Sequence, residues 1–351
     1  MKNNWWKILG VLLIVYSFVV GMLVPLRTGI SDASPASFKA GQDVTIKVEG
    51  YNSFYRKVPE ELKAWLKMEG NNALAATKIE VINDRELNVD FSIPAYLPTK
   101  RKVQAFTLIV DSPSDGAAIL PEGIYVTQEN VDSVAADSTW INSEITHLHE
   151  KDSVTFPYRN ILYETIRNLY YHVPLWFAMF ILFFAAVVLS ALYLNKFDNK
   201  YDQQAKALTS VGVLYGVLGL ITGAIWAKHA WGAYWSWDVK QNMTAVGLLI
   251  YGAYFVLRAS FEDPEKRARI SAVYNIFAFA TLIPLLYVVP RLTDSLHPGA
   301  GGNIAFGSQD LDNTMRMVFY PAIIGWTLFG VWVSHLVYRF NRVKEHYLEN
   351  S

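Results

Sequence analysis

Six long apolar runs alternate with polar segments along the 351 residues of the chain. An α-helix needs roughly 20 predominantly apolar residues to cross a bilayer, and each run reaches about that length. The pattern therefore predicts an all-α polytopic membrane protein with six transmembrane helices. We expect these helices near residues 8–25, 172–194, 208–227, 243–260, 270–290 and 317–339.

Residues 40–130 show a different pattern, in which apolar and polar residues alternate. A period of two is typical of half-buried β-strands, and turn-forming residues separate the runs. The pattern predicts a small β-rich extracytoplasmic domain inserted after the first helix, with one short helix from Glu60 to Met68. Tyr158 to Tyr170 has its apolar residues on one helical face, so we expect a helix lying at the membrane surface there.

These patterns divide the chain into four segments. Lys2 and Lys7 precede the first apolar run, as in a signal peptide, but Met22 to Leu26 has no small-residue cleavage pattern. We therefore expect an uncleaved anchor. The predicted segments are an anchor helix at 1–27, a β-rich domain at 28–150, a five-helix membrane domain at 151–342 and a cytoplasmic tail at 343–351.

Basic residues predict the orientation, because short cytoplasmic loops retain Lys and Arg. With both termini in the cytoplasm, most of the basic residues near the helix ends fall inside. The β-rich domain and the loops near 228–242 and 291–316 then lie outside. The short outer loops hold only Lys228, Lys240, Arg291 and Arg316.

The amino-acid composition limits which ligands and cofactors the chain can bind. Charged residues make up 18% of the chain, below the roughly 25% of soluble domains, as a membrane protein requires. The 31 basic and 31 acidic side chains balance, which leaves no global field to attract nucleic acid. The absence of cysteine excludes dithiol chemistry, thiolate metal sites and covalent haem attachment to the chain itself. Any cofactor must be held by nitrogen or oxygen ligands.

The densest chemical signal is residues 226–238, which we call the Trp segment. A membrane-interface belt explains one or two tryptophans, but not four with a tyrosine in one short stretch. Packed aromatic rings suit a large planar apolar ligand, since they bury area at little entropic cost. The candidate ligand-binding residues are Trp226, Trp231, Gly232, Tyr234, Trp235, Trp237 and Asp238.

Trp231-Gly-x-x-Trp235-x-Trp237-Asp238 resembles the WGxxWxWD signature of the haem-handling proteins of cytochrome c biogenesis, the CcmC and CcsA group. In that family the tryptophan-rich loop lies on the outer side of the membrane and contacts haem. The resemblance covers roughly residues 158–340 and leaves the β-rich domain outside it. Ala230–Asp238 is closer to the CcsA branch, whereas the six-span length is closer to CcmC, so both branches stay open.

Two histidines extend the resemblance. His172-Val-Pro resembles a motif of the CcmC branch, and Leu296-His297-Pro-Gly299 occupies the place of its second axial histidine. Independently of any family, two histidines that flank an aromatic segment suit axial ligation, because imidazole coordinates haem iron through one nitrogen. We therefore predict His172 and His297 as ligands of a transient, non-covalent b-type haem. His229 is the weaker candidate, because CcmC-like proteins commonly carry Pro there.

Charged residues near these histidines complete the predicted site. The outer cations Lys228, Lys240, Arg291 and Arg316 are candidates to neutralise haem propionates, Lys228 and Arg291 first among them, although most outer charges merely meet water. Asp238 is expected to cap the helix that follows it. We see no partner base beside it in the sequence, and no catalytic constellation anywhere in the chain.

The sequence thus predicts a haem-binding membrane protein that presents haem outside the cytoplasm. Resemblance to CcmC implies a bacterial inner membrane, delivery to a periplasmic haem chaperone such as CcmE, and an ABC-type partner such as CcmAB. Resemblance to CcsA implies haem attachment to apocytochrome c, as a component of a haem lyase. Two other classes stay open: an electron-transfer subunit with a permanent bis-histidine haem, and a structural anchor whose β domain binds a partner.

Overall fold

The computed structural model describes residues 4–349, except 133–134, 137–138, 146, 152, 161 and 298–310. The chain divides into two compact units. Met1–Val24 and Glu164–Ser351 form a helical unit, and Pro25–Tyr163 forms a unit built from β-strands. The β unit is an insertion between the first helix and the other helices, as the alternating pattern predicts.

The helical unit confirms the predicted membrane architecture. Within the described residues, six helical stretches are long and apolar enough to cross a membrane. The stretch at Pro264–Leu292 includes a π-helical turn at Pro284–Val288, since Pro284 provides no backbone N–H. The helices are α1 Trp5–Leu23, α2 Asn168–Tyr171, α3 Val173–Lys196, α4 Asn199–Trp231, α5 Val239–Ala259, α6 Pro264–Ile283, α7 Val289–Leu292 and α8 Asn313–Glu349.

Aromatic packing and polar contacts hold this unit together. The ring of Phe183 in α3 stacks on Tyr251 in α5, with centroids 3.8 Å apart. The Tyr215 hydroxyl in α4 donates to the Trp326 carbonyl in α8 at 3.0 Å. Interhelical hydrogen bonds of this kind stabilise helix association where lipid provides no hydrophobic driving force. The buried core also includes Leu175, Ala178, Met179, Leu182, Val211, Ala278, Leu282 and Leu286.

A buried ion pair joins the start of α4 to the end of α5. Arg258 Nη1 donates to Asp202 Oδ1 at 2.7 Å, and Arg258 Nη2 donates to Asp202 Oδ2. The exposed fractions of Asp202 and Arg258 are only 4% and 8%. Such bidentate geometry satisfies two buried charges at once.

In the part of the β unit that the structure describes, nine strands form two sheets that share one apolar core. One sheet has the order β1-β3-β7-β6, and its pairs are antiparallel. The other has the order β2-β9-β8-β4-β5, in which only the β2–β9 pair is parallel. The strands are β1 Gly29–Ser34, β2 Ser37–Lys39, β3 Asp43–Tyr51, β4 Lys63–Lys67, β5 Ala73–Ala75, β6 Lys78–Val81, β7 Glu86–Ser92, β8 Val103–Ser112 and β9 Gly116–Thr127.

Two predicted helices differ from the structure. The helix expected from Glu60 to Met68 is wrong, because Lys63–Lys67 forms a strand after a short 3-10 turn at Pro59–Glu61. Leu62, Ala64, Leu66 and Met68 are buried at the period of a strand, and Trp65 is buried on the opposite face. The helix expected from Tyr158 to Tyr170 begins only at residue 163, with a 3-10 turn that leads into α2.

Candidate functional site

The Trp segment begins as the last turns of α4 and continues as a loop to α5. Gly232 ends α4 with φ +82°, a left-handed conformation that glycine adopts without strain. The Gly232 N–H donates to the Lys228 carbonyl at 3.1 Å, and Lys228 Nζ donates to the Gly232 carbonyl at 2.8 Å. The ammonium of Lys228 therefore lies against the end of its own helix.

Two amides in the first turn of α5 hold the loop in place. Gln241 Oε1 accepts hydrogen bonds from the backbone N–H and the hydroxyl of Ser236, at 3.0 and 3.1 Å. Asn242 Nδ2 donates to the Trp237 carbonyl at 2.8 Å. We did not predict these residues from the sequence, although polar side chains at the start of an apolar helix are a recognisable signal.

Asp238 connects this loop to the loop that follows α7. Its carboxylate caps α5 by accepting from the Lys240 N–H at 2.9 Å, as predicted. It also accepts from the Leu296 N–H at 2.8 Å and from the Ser295 hydroxyl at 2.8 Å. His297 Nδ1 lies 2.7 Å from Asp238 Oδ1. No partner base is identifiable beside Asp238 in the sequence, because the imidazole that lies there in the structure comes from a loop 59 residues away.

The electrostatics of this pair favour a neutral imidazole. Burial lowers the pKa of His297 to about 4, and the nearby Lys240 cation acts in the same direction. Burial alone raises the pKa of Asp238, but hydrogen bonds from Leu296 and Ser295 outweigh it and hold the pKa below its ordinary value. Nδ1–H of neutral His297 thus donates to an ionised carboxylate, and Nε2 keeps its lone pair.

Two tryptophans of the Trp segment pack against His297. The ring centroids of Trp231 and His297 are 4.7 Å apart, and those of Trp226 and His297 are 6.2 Å apart. The two indoles contact each other edge to face at 4.9 Å. The structure therefore brings Trp226, Trp231, Asp238 and His297 into one cluster.

His172 lies at the start of α3, facing α4. Its Nδ1 is 3.0 Å from the Thr222 hydroxyl, and Trp176 Nε1 donates to its Nε2 at 3.2 Å. Gly223 makes room for the ring, since a Cβ there would lie 2.8 Å from His172 Cε1. The spacing of four residues between His172 and Trp176 was visible in the sequence, but we did not use it.

The remaining predicted residues lie at the edge of this cluster. Trp235 and Trp237 form their own edge-to-face pair with centroids 6.4 Å apart, and Trp237 is 78% exposed. Tyr234 is also exposed, and its ring centroid lies 5.8 Å from Lys228 Nζ. Arg291 and His229 are exposed. Gly299, named with the His297 motif, lies outside the described residues.

Comparison with known proteins identifies the helical unit. The profile of the family described as "Heme exporter protein C", CcmC, matches residues 155–350. The chain belongs to this family. The match covers α2 to α8 and does not extend to α1 or the nine strands.

Individual relatives come from both branches of cytochrome c biogenesis. "Heme exporter protein C" of Paracoccus denitrificans is 28% identical over 164 residues, which cover 47% of this chain and 68% of the relative. The protein of the same name from Bradyrhizobium diazoefficiens is 26% identical over 181 residues, 51% of this chain and 67% of the relative. "Cytochrome c biogenesis protein CcsA" of Prochlorococcus marinus is 44% identical over 80 residues, only 23% of this chain and 25% of the relative. The chain thus takes part in haem handling for cytochrome c biogenesis.

Proposed function

We propose that the chain binds haem at the end of the helical unit that carries the Trp segment, and passes it to an acceptor. His172 and His297 are the axial ligands in this proposal. The observation that supports it best is the hydrogen bond between His297 Nδ1 and the buried carboxylate of Asp238. Histidines that bind metals commonly donate their other ring N–H to a carboxylate, which fixes the tautomer and the ring orientation.

The donor set fits haem iron. Both imidazoles have Nδ1 engaged, His297 with Asp238 and His172 with Thr222, so Nε2 is the nitrogen that would bind iron in each case. A neutral imidazole pair suits iron in a b-type haem, and the chain has no thiolate to compete. Haem is the cargo of this site, held without a covalent bond.

The surrounding side chains suit the rest of a porphyrin. Trp226 and Trp231 provide aromatic faces beside His297, where a flat macrocycle gains contact area. Arg291 and Lys240 provide positive charge for the propionates in this proposal. Lys228 contributes less in this proposal, because its ammonium already binds the Gly232 carbonyl.

We propose a bacterial inner membrane as the location, with the Trp segment on the periplasmic side and both termini in the cytoplasm. The basic-residue asymmetry supports this orientation. Reporters fused after Asn199 and Glu262 should be cytoplasmic, and reporters at Ser112 and Gly301 periplasmic; Gly301 lies outside the described residues. The opposite result would place the Trp segment in the cytoplasm and contradict delivery on the outer side.

The acceptor in this proposal is a CcmE-like periplasmic haem chaperone or an apocytochrome c. The "Heme exporter" name of the family suggests an ABC-type partner of the CcmAB kind. The test is to purify the protein in detergent, record its visible spectrum and mix it with an acceptor. A Soret band that moves to the acceptor supports the proposal. A band that stays with the protein indicates an electron carrier, and a protein that binds no haem is a structural anchor.

A further inference from the structure

The hydrogen bonds around His172 define its tautomer. The Thr222 hydroxyl lies 2.9 Å from the Leu218 carbonyl and 3.1 Å from the Gly219 carbonyl, so its proton has an acceptor within α4. Its oxygen is then placed to accept from His172 Nδ1 at 3.0 Å, which is the tautomer with the ring proton on Nδ1. Trp176 leads to the same result independently, because its indole N–H only donates and needs an unprotonated Nε2.

The single lone pair on His172 Nε2 can accept one hydrogen bond or bind one metal ion, but not both. In the structure its partner is the Trp176 N–H, at 3.2 Å. An iron ligand bond uses the same lone pair in the ring plane, so indole and iron exclude each other at His172. For His297, the described residues include no hydrogen-bond partner of Nε2. The two imidazoles therefore differ, since one has its ligating nitrogen occupied from within the chain.

The position of Trp176 is fixed by the fold. It lies one helical turn after His172, and both side chains face α4, where glycines leave room for them. A Cβ at Gly219 would lie 2.7 Å from Trp176, and a Cβ at Gly223 would lie 2.8 Å from His172. An indole N–H in a membrane helix needs an acceptor, and among the described residues Trp176 finds it in His172.

We propose that Trp176 is a positioning residue that holds the ligating nitrogen of His172 in a hydrogen bond whenever haem is absent. This inference rests on the proposed function, in which His172 is an axial ligand. Haem binding must break the indole contact, and haem release restores it. The contact therefore weakens haem binding at His172 and favours transfer of haem to an acceptor.

The test compares Trp176→Phe with Trp326→Phe, a matched loss of an indole elsewhere in the bundle. Phenylalanine keeps the aromatic bulk and lacks the N–H. The net value of one hydrogen bond predicts about two- to tenfold tighter haem binding in Trp176→Phe, with slower loss to an apo-globin scavenger. Trp326→Phe should leave both unchanged. Trp176→Leu replaces the phenylalanine variant if that variant does not fold.

A second measurement needs no haem. Diethyl pyrocarbonate attacks the imidazole lone pair, so mass spectrometry of the haem-free protein should show faster modification of His172 in Trp176→Phe, with His297 as the internal reference. Unchanged modification, or haem binding that weakens in Trp176→Phe, overturns the role of Trp176. Faster modification of His172 in a protein whose haem spectrum does not depend on His172 instead supports the hydrogen bond and contradicts the proposed function.

Discussion

The two ends of the helical unit each contain a buried carboxylate, and the two carboxylates have different partners. Asp202, at the start of α4, binds the guanidinium of Arg258, a permanent cation with no lone pair to offer a ligand. Asp238 lies beyond the other end of α4, roughly 40 Å away along the helix, and binds neutral His297. Only the second partner, an imidazole, has a nitrogen with a lone pair that can bind a ligand. An aspartate therefore has two different roles here: Asp202 joins two helices, and Asp238 orients a candidate haem ligand.

The largest effect expected from this comparison is on stability, at the Asp202 end. Arg258→Ala leaves the Asp202 carboxylate buried without its charge partner, which typically costs about 3–5 kcal/mol. Thermal unfolding in detergent should shift strongly downward, while the protein that remains folded keeps its haem spectrum. Arg339→Ala, at an exposed position of α8, is the control. If Arg258→Ala lost the haem spectrum at unchanged stability, the Asp202 end would take part in haem binding, which contradicts this comparison.

At the other end, Asp238→Asn should affect binding more than stability. Asparagine still caps α5, but its neutral amide orients His297 less firmly than a carboxylate does. Substitutions of such supporting groups typically lower metal affinity about 10- to 100-fold. Haem titration of the purified variant measures this, with thermal unfolding as the control. A variant with normal affinity would show that Asp238 serves only the helix.

His172 provides a sharper version of the same test, because its ring lies against a glycine. Gly223→Ala places a Cβ 2.8 Å from His172 Cε1, so the ring must move. Overpacking of this kind costs about 1–3 kcal/mol, and we expect haem affinity to fall about tenfold. Gly252→Ala adds the same methyl group to α5, where no heavy atom lies within 4 Å, and should bind haem normally. Equal affinities would separate His172 from the haem site.

The smallest expected effect is a difference in haem affinity between variants of two tryptophans in the Trp segment. Trp235 and Trp237 are candidate haem contacts from the sequence, but Trp226 and Trp231 pack against His297, Trp231 at the shorter distance, and Trp237 is 78% exposed. Trp231→Ala should therefore lower haem affinity about three- to tenfold more than Trp237→Ala. The reverse order in a haem titration would mean that the exposed pair forms the platform.

The architecture could be predicted because its signals are local. A run of apolar residues predicts a span wherever it occurs, and alternation from Val44 to Val48 predicts a strand that does form. The helix prediction for Glu60 to Met68 was wrong because the alternation in this segment is short and its polar residues are typical of helices. Pairing of Lys63–Lys67 with β8 and β5 decides its conformation, and such pairing is not visible in one segment.

The candidate site could be predicted only as separate pieces. The Trp segment and the two histidines were visible as residue types, but the contact between Asp238 and His297 joins two loops that only the helix packing brings together. His172 and Trp176 show the opposite case, because a spacing of four residues on a helix places side chains together. That pair was predictable from local rules, while the carboxylate pair was not.

The most direct test of the proposed site is the visible spectrum of three histidine variants. If His172 and His297 are the axial ligands, His172→Ala and His297→Ala each lose the low-spin bis-histidine spectrum, and added imidazole restores it by supplying the missing nitrogen. His229→Ala keeps the spectrum, because its exposed side chain takes no part. A low-spin spectrum that persists without imidazole in His172→Ala or His297→Ala, or that disappears in His229→Ala alone, would contradict this assignment.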